Sequence, residues 1–340
     1  MKIILYFSTL IISLSMLACS PDKKIKNIKC NMIHKYGMST GNDNEIFGLI
    51  NCFAIDKNEN LYVADGAFKT IKKFSTNGKY LKTFGAGEGE GPGEFESIQD
   101  MDVDSLGNLY IVDKILRRVT VLDSANNILF TFKLPFIPAQ ITVPQSFNAF
   151  ITGFPFSYNG DMIYKYDLTS TNYDNPAKIF CARIKNKDSL TIEMAGNSGR
   201  LSKDNNGNII FSFFFPYETR VFSLNGKLLK SFHRNVSFFR SPYFDSEKRY
   251  VIAPSGNRGV LFFPPNIIAN LIYKANGEKT SAFFIDFFDY NNQFFLGTID
   301  IKDIGIEKIR YIKTDAKGYV YIDILEPYPQ ILKYKMSVKN

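Results

Sequence analysis

Apolar and polar positions along this chain alternate in short runs, and each run stops at a turn signal. One such run reaches Asp56-Lys57-Asn58-Glu59-Asn60, after which Leu61-Tyr62-Val63-Ala64-Asp65 supplies β-branched and aromatic residues. Thr70 to Phe74 then leads into the turn Asn77-Gly78, and Lys79 to Phe84 leaves it. Period-two alternation bounded by Asp, Asn and Gly is the pattern of half-buried strands joined as hairpins. An Asp in the turn can accept from nearby backbone N–H groups, while Gly or Asn tolerates the positive φ.

The pattern recurs. Asp56 to Asp65 matches Asp104-Ser105-Leu106-Gly107-Asn108-Leu109-Tyr110-Ile111-Val112-Asp113, 48 residues on. A third copy begins at Asp204, 100 residues later, and a fourth at Asp315, another 111 on, so each gap has room for one further unit. Asn-Gly turns return at Asn225-Gly226 and Asn276-Gly277. Four short strands per unit, repeated about every fifty residues, predict an all-β fold: a six-bladed β-propeller with four antiparallel strands per blade. The two degenerate units fall at 141–184 and 250–288. In the first, Ala149 to Thr152 and Met162 to Tyr166 read as strands; in the second, Gly259 to Phe263 and Thr280 to Phe284. The sixth unit has three strands before the chain ends: Ile309 to Thr314, Tyr319 to Leu325 and Gln330 to Tyr334. Lys26 to His34 is a strand left over at the start, expected to complete that blade, close the ring and remove exposed sheet edges. No long 3.6-residue period appears after the leader, which argues against a helical domain.

The leader carries an address. Met1 and Lys2 precede an apolar and hydroxylated run from Ile3 to Leu17, followed by Ala18-Cys19. This is a signal h-region, short of the roughly 20 residues a spanning helix needs. A small residue directly before a cysteine resembles the lipobox of bacterial lipoproteins, which implies cleavage before Cys19 and lipidation of it; Met16 stands where Leu is commoner. On the same resemblance, Ser20 in place of Asp implies delivery to the outer membrane of a Gram-negative envelope. The expected organisation is a lipoprotein signal peptide with lipidated Cys19 over 1–19, a tether over 20–25 and one propeller domain over 26–336.

Composition agrees with a globular body: 45% hydrophobic, 22% charged and 15% aromatic, without Trp. The net charge of +8 is concentrated near the anchor, where Lys23, Lys24, Lys26, Lys29 and Lys35 face Asp22 alone. Beside anionic headgroups each such lysine can gain about 1 kcal/mol. The rest is nearly balanced, so no basic stripe for nucleic acid is expected. Besides Cys19 there are Cys30, Cys52 and Cys181. Three cannot all pair and no CxxC occurs; an exported protein could form one disulfide among them, and the expectation is of small buried apolar side chains.

Gly87-Glu88-Gly89-Glu90-Gly91-Pro92-Gly93-Glu94-Phe95, then Met101 to Asp104, Gly107 to Asp113 and Val119 to Leu122, resemble an NHL repeat. The chain thereby resembles six-bladed propeller lipoproteins of Gram-negative envelopes. NHL-type propellers serve as interaction platforms and also as scaffolds for hydrolases and lyases, so the resemblance does not choose a function.

Candidate chemistry is sparse. No GxGxxG register fits Gly85 to Gly93, and a strand follows, so this reads as an inter-blade loop rather than a phosphate cradle. His34 and His233 are too few for a three-His zinc centre, and no GxSxG occurs. The first strands say more. Two and four residues before the turn stand Ala54 and Cys52, Asp102 and Asp100, Ser202 and Arg200, Lys313 and Tyr311. The alternate positions, among them Ile55, Phe53, Val103, Met101, Leu201 and Lys203, are mostly apolar. First strands line a propeller's channel, so Asp100, Asp102, Arg200 and Lys313 are the candidate ligand residues of one polar funnel. Two carboxylates on one strand face repel unless a cation separates them. That cation is either Ca²⁺ on Asp100 and Asp102, with Glu94 as a further donor, or the side chains of Arg200 and Lys313. Asp65 and Asp113 are expected to cap turns. Phe213 to Tyr217 and Phe262 to Pro265 read as inter-blade core or as a stacking surface.

Two functions compete. The first is a lipid-anchored binding or scaffolding module whose protein, peptide or glycan ligand meets the loops at one channel mouth. The second is a Ca²⁺-assisted hydrolase or lyase acting on a small ester, lactone or glycan-derived substrate.

Overall fold

The computed structural model describes residues 28–338 except 155–159, 170–172, 174, 185–197, 248 and 277–279. Cys19, the signal peptide, the tether and Gly277 lie outside the described residues.

Six four-stranded antiparallel sheets form the blades. Blade 1 runs Ile50–Ile55, Leu61–Asp65, Thr70–Phe74 and Tyr80–Phe84; blade 2 runs Ile98–Val103, Leu109–Asp113, Arg118–Leu122 and Ile128–Lys133. Blade 3 comprises Ile137–Gln145, Asn148–Phe154, Asp161–Asp167 and Lys178–Ala182; blade 4 comprises Gly199–Lys203, Ile209–Phe213, Glu218–Phe222 and Leu228–His233. Blade 5 has the longest strands, Ser255–Phe263, Ile267–Asn276, Thr280–Asp289 and Phe295–Asp300. Blade 6 takes Tyr311–Thr314, Tyr319–Ile324 and Gln330–Val338 from the end of the chain and Ile28–Tyr36 from its beginning. That last strand pairs antiparallel with its neighbour from Ile28 opposite Val338 to Tyr36 opposite Ile331, and so closes the ring as expected.

Blade 5 sits later than its expected span of 250–288. Tyr250–Ile252 belongs instead to a separate ribbon with Tyr243–Asp245. The degenerate unit lacks the Asp-x-x-Gly-Asn marker, so the sequence offers no fixed point from which to count its strands.

The core lies between neighbouring blades. One cluster joins Tyr62, Ile71 and Phe84 of blade 1 to Met101, Val103 and Leu109 of blade 2; another joins Leu261, Ile285 and Phe287 of blade 5 to Val320, Ile322 and Leu332 of blade 6. Phe213, Tyr217, Phe262 and Phe263 are buried in such seams, so those aromatic runs are chiefly core. Cys52 and Cys181 are buried, Cys30 is half-buried, and all three are free thiols. Desolvation pushes the Cys30 thiol up to about 11 and that of Cys181 to about 12.

The glycine-rich segment is the loop between blades 1 and 2, where Gly87–Glu88 pairs with Glu94–Phe95. Glu94 Oε2 accepts from the Gly91 N–H at 2.8 Å, and Arg118 holds the loop through the Glu90 carbonyl at 2.8 Å.

Candidate functional site: the channel and its mouth

The first strands surround the channel, and at one end they begin where the second strands finish, as Ile98 opposite Asp113 shows. Asp65 and Asp113 act there as the turn caps expected of them. Asp65 accepts from the Gly48, Leu49 and Ala67 N–H groups, and Asp113 from those of Glu96, Ser97, Ile115 and Leu116.

Inside the channel, Asp100 and Asp102 meet side-chain cations. Lys313 Nζ lies 3.2 Å from Asp100 Oδ1, and Lys203 Nζ lies 2.7 Å from Asp102 Oδ2. The remaining lone pairs are also used. The Ile141 N–H donates to Asp100 Oδ2 at 3.1 Å, the Val143 N–H to Asp102 Oδ2 at 2.7 Å, and the Val103 N–H to Asp102 Oδ1 at 2.9 Å. Desolvation opposes the charge on Lys313, but Asp100 and Asp102 outweigh it and hold its pKa above the usual lysine value.

Two expectations meet the structure here. Asp100, Asp102 and Glu94 do not converge as a calcium cage: every oxygen of the two aspartates already faces a donor, and Glu94 is turned into its own loop. Among the described residues no group of three or more His, Cys, Asp or Glu comes together. The partner of Asp102 is also Lys203 rather than Arg200. Counting by strand parity put Lys203 on the apolar face, but a four-carbon stem can carry its ammonium around the strand edge to a charge.

Arg200 goes to the mouth. Its Nε donates to the Arg258 carbonyl at 3.2 Å, and its guanidinium lies over the Tyr311 ring at 5.2 Å. Arg258 lies 4.8 Å from the Tyr273 ring centre and 5.6 Å from that of Phe214. Arg310, close by, is spent: it donates to the Ile50 carbonyl at 2.8 Å and lies 3.7 Å from Asp323. Desolvation, reinforced by the charge of Arg258, lowers the pKa of Arg200 from the ordinary arginine value.

Arg258 reaches the mouth through a β-bulge, which strand alternation alone did not foretell. Pairing skips one residue between Asn257 and Gly259, and likewise between Ile50 and Cys52, Ile98 and Asp100, and Pro138 and Gln140. The extra residues are Asn51, Gln99, Ala139 and Arg258, four bulges at equivalent points near the same end. A bulge bends the strand and re-aims the side chain it inserts. In Ser255–Phe263 the only exposed residue is Arg258. Gln99, Ala139, Arg200 and Arg258 border a cavity of about 500 Å³ between blades 3, 4 and 5, whose apolar lining includes Phe154, Met162, Phe211, Phe214 and Val251.

A closed ring of six four-stranded sheets with a lined mouth defines the class: a six-bladed β-propeller. The chain belongs to the 6-bladed beta-propeller family DUF5128, whose model matches residues 38–315. Among solved structures it is similar to a DUF4221 family member from Bacteroides vulgatus, with a TM-score of 0.64 at 9% identity over 93% of this chain and 100% of that one. A protein described as exported, from Bacteroides fragilis, gives 0.66 at 12% identity over 94% and 98%. An inactive variant of virginiamycin B lyase from Staphylococcus aureus gives 0.51 at 10% identity over 91% and 99%. Identities this low establish a shared fold only. No curated protein matches the chain.

Proposed function

We propose that the protein is a lipid-anchored binding or scaffolding module of the Gram-negative cell envelope, outer-membrane-anchored through Cys19, which takes its ligand at the bulged mouth of the channel. The observation that carries this reading is the cavity itself. It is concave, mostly apolar, and edged by a few polar groups, of which Gln99 and Arg258 stand at the repeated bulge, as small-molecule and peptide sites generally are. The leader from Met1 to Cys19 and the shared fold with a Bacteroides fragilis protein described as exported support the address. Among the described residues no helix is long and apolar enough to cross a membrane. The hydrolase or lyase reading is weaker, because its proposed metal ligands, Asp100 and Asp102, are engaged by Lys313 and Lys203.

Labelling growing cells with a palmitate analogue tests the anchor. The wild-type chain is expected to take up label and sediment with outer membranes, and Cys19→Ala to do neither; an unlabelled, freely soluble wild type defeats it. The mouth is tested by a photo-crosslinking residue at Phe214 against one at exposed Leu81. Capture of a defined envelope component from Phe214 alone is expected, and equal capture from both positions refutes a mouth-specific ligand.

A further inference from the structure

Among the described residues the charges around the channel do not balance, and the imbalance sits at the cavity. Deep in the channel two carboxylates face two lysines: Asp100 with Lys313, and Asp102 with Lys203. Arg310 has Asp323. Arg200 and Arg258 have no carboxylate within ion-pair distance among the described residues. Asp100 attracts Arg200 from farther off, but its own oxygens are held by Lys313 and the Ile141 N–H. The Arg200 Nε bond to the Arg258 backbone carbonyl joins the two residues, and the Arg258 charge opposes that of Arg200. A fold gains by such an arrangement when an anion completes it, and planar guanidiniums held against aromatic faces are preorganised for bidentate carboxylate recognition.

The lining specifies the rest of the ligand. Among the described residues, apart from the arginines, the lining side chains able to hydrogen bond are Gln99, Thr152, Ser198 and Asn257. Asn257 is already committed, its Nδ2 to Ser212 and its Oδ1 to the Gly259 N–H. A body rich in hydroxyls would lose more bonds to water than this surface returns. An apolar body suits Phe154, Met162, Phe211 and Phe214, and about 500 Å³ is ample for a small organic acid.

We propose that the mouth cavity binds a small organic carboxylate on an apolar body, its carboxylate held between Arg200 and Arg258 and its body against Phe214 and Met162. This rests on the binding-module reading and names its ligand class.

Isothermal titration of the full chain in detergent with N-acetyl-L-phenylalanine, its neutral amide and glucuronate tests it. The acid is expected to bind at least about tenfold more tightly than the amide or glucuronate, with affinity falling as salt rises. Arg258→Gln and Arg200→Gln should each bring the acid down to the level of the amide without changing the melting temperature by more than a few degrees. Arg258→Lys, which keeps the charge but loses the fork, should recover part of the loss. Equal binding of acid and amide, indifference to both glutamine substitutions, tighter binding of glucuronate, or no binding of the acid at 10 mM each overturns the assignment. An amide that binds as well as the acid, with crosslinking from Phe214 still specific, sinks the charge assignment and leaves the binding module standing. Loss of that crosslinking sinks the module itself.

Discussion

A single residue type at one turn position holds the first hairpin in four of the six blades. Asp104 Oδ1 accepts from the Leu106 and Asn108 N–H groups at 2.9 Å, while Oδ2 accepts from Asn108 Nδ2 at 2.9 Å and the Tyr110 hydroxyl at 3.1 Å. Asp56 repeats the set with Asn58, Asn60 and Tyr62, whereas Asp315 keeps the backbone and Tyr321 bonds but has Tyr319 in place of the Asn amide. Asp204 lacks a Tyr six residues on and receives the hydroxyl of Tyr290 from blade 5 at 2.6 Å. Asp104→Ala removes the cap and strips partners from buried Asn108 and Tyr110. Roughly 2–4 kcal/mol of stability should be lost, read from the guanidinium midpoint; an unshifted midpoint counts against the cap. Asp323 is the opposite case, a fully buried carboxylate with neither oxygen hydrogen-bonded. Desolvation, only partly offset by Arg310, raises its pKa to about 7. An unfolded Asp releases its proton near about 3.9, so between these values the folded state binds more protons and stability falls as pH rises. Asp323→Asn should therefore raise the melting temperature at pH 8 and flatten its slope between pH 4 and 7. A slope left as steep as in the wild type would place the titration elsewhere.

At the scale of elements, closure and pairing divide the work. Ile28–Tyr36 covers the edge of Gln330–Val338, which would otherwise offer unpaired N–H and C=O groups to another molecule. Removing residues 28–36 should yield a protein that melts earlier and elutes as aggregates on size exclusion; a monomer of unchanged stability would show that the ring closes without them. In the channel, Asp100→Asn with Asp102→Asn strands Lys313 and Lys203. We expect about 1–3 kcal/mol of destabilisation, with no calcium-dependent rise in melting temperature for the wild type. A calcium-induced rise that the double substitution abolishes would restore the metal site. The bulges explain why element-level reading placed Asp100, Asp102 and Lys313 in the channel but missed Arg258 and Gln99. Alternation assigns faces by parity counted from the turn, and one inserted residue shifts that parity for every position beyond it. The signal available beforehand was faint: Arg258 lies between Asn257 and Gly259, just before the apolar run Val260 to Phe263.

For the whole molecule, the repeat marked by Asp56, Asp104, Asp204 and Asp315 was enough to establish the six blades, their four-stranded make-up and the closing strand. Local turn chemistry and period-two alternation repeat along the chain, and a repeat that cannot bury its faces alone must stack on its neighbours. The sequence also supplied the acids and bases of the channel, because first strands must line it. The tertiary structure decided which of them meet. Lys203 rather than Arg200 reached Asp102, Arg258 was turned into the mouth, and Asp323 was buried without a hydrogen bond. Each outcome depends on through-space distances between strands some 40 to 210 residues apart, as with Asp100, Ile141 and Lys313. Periodicity specifies which way a side chain points, whereas the charge it meets is settled only when the blades close around a common axis.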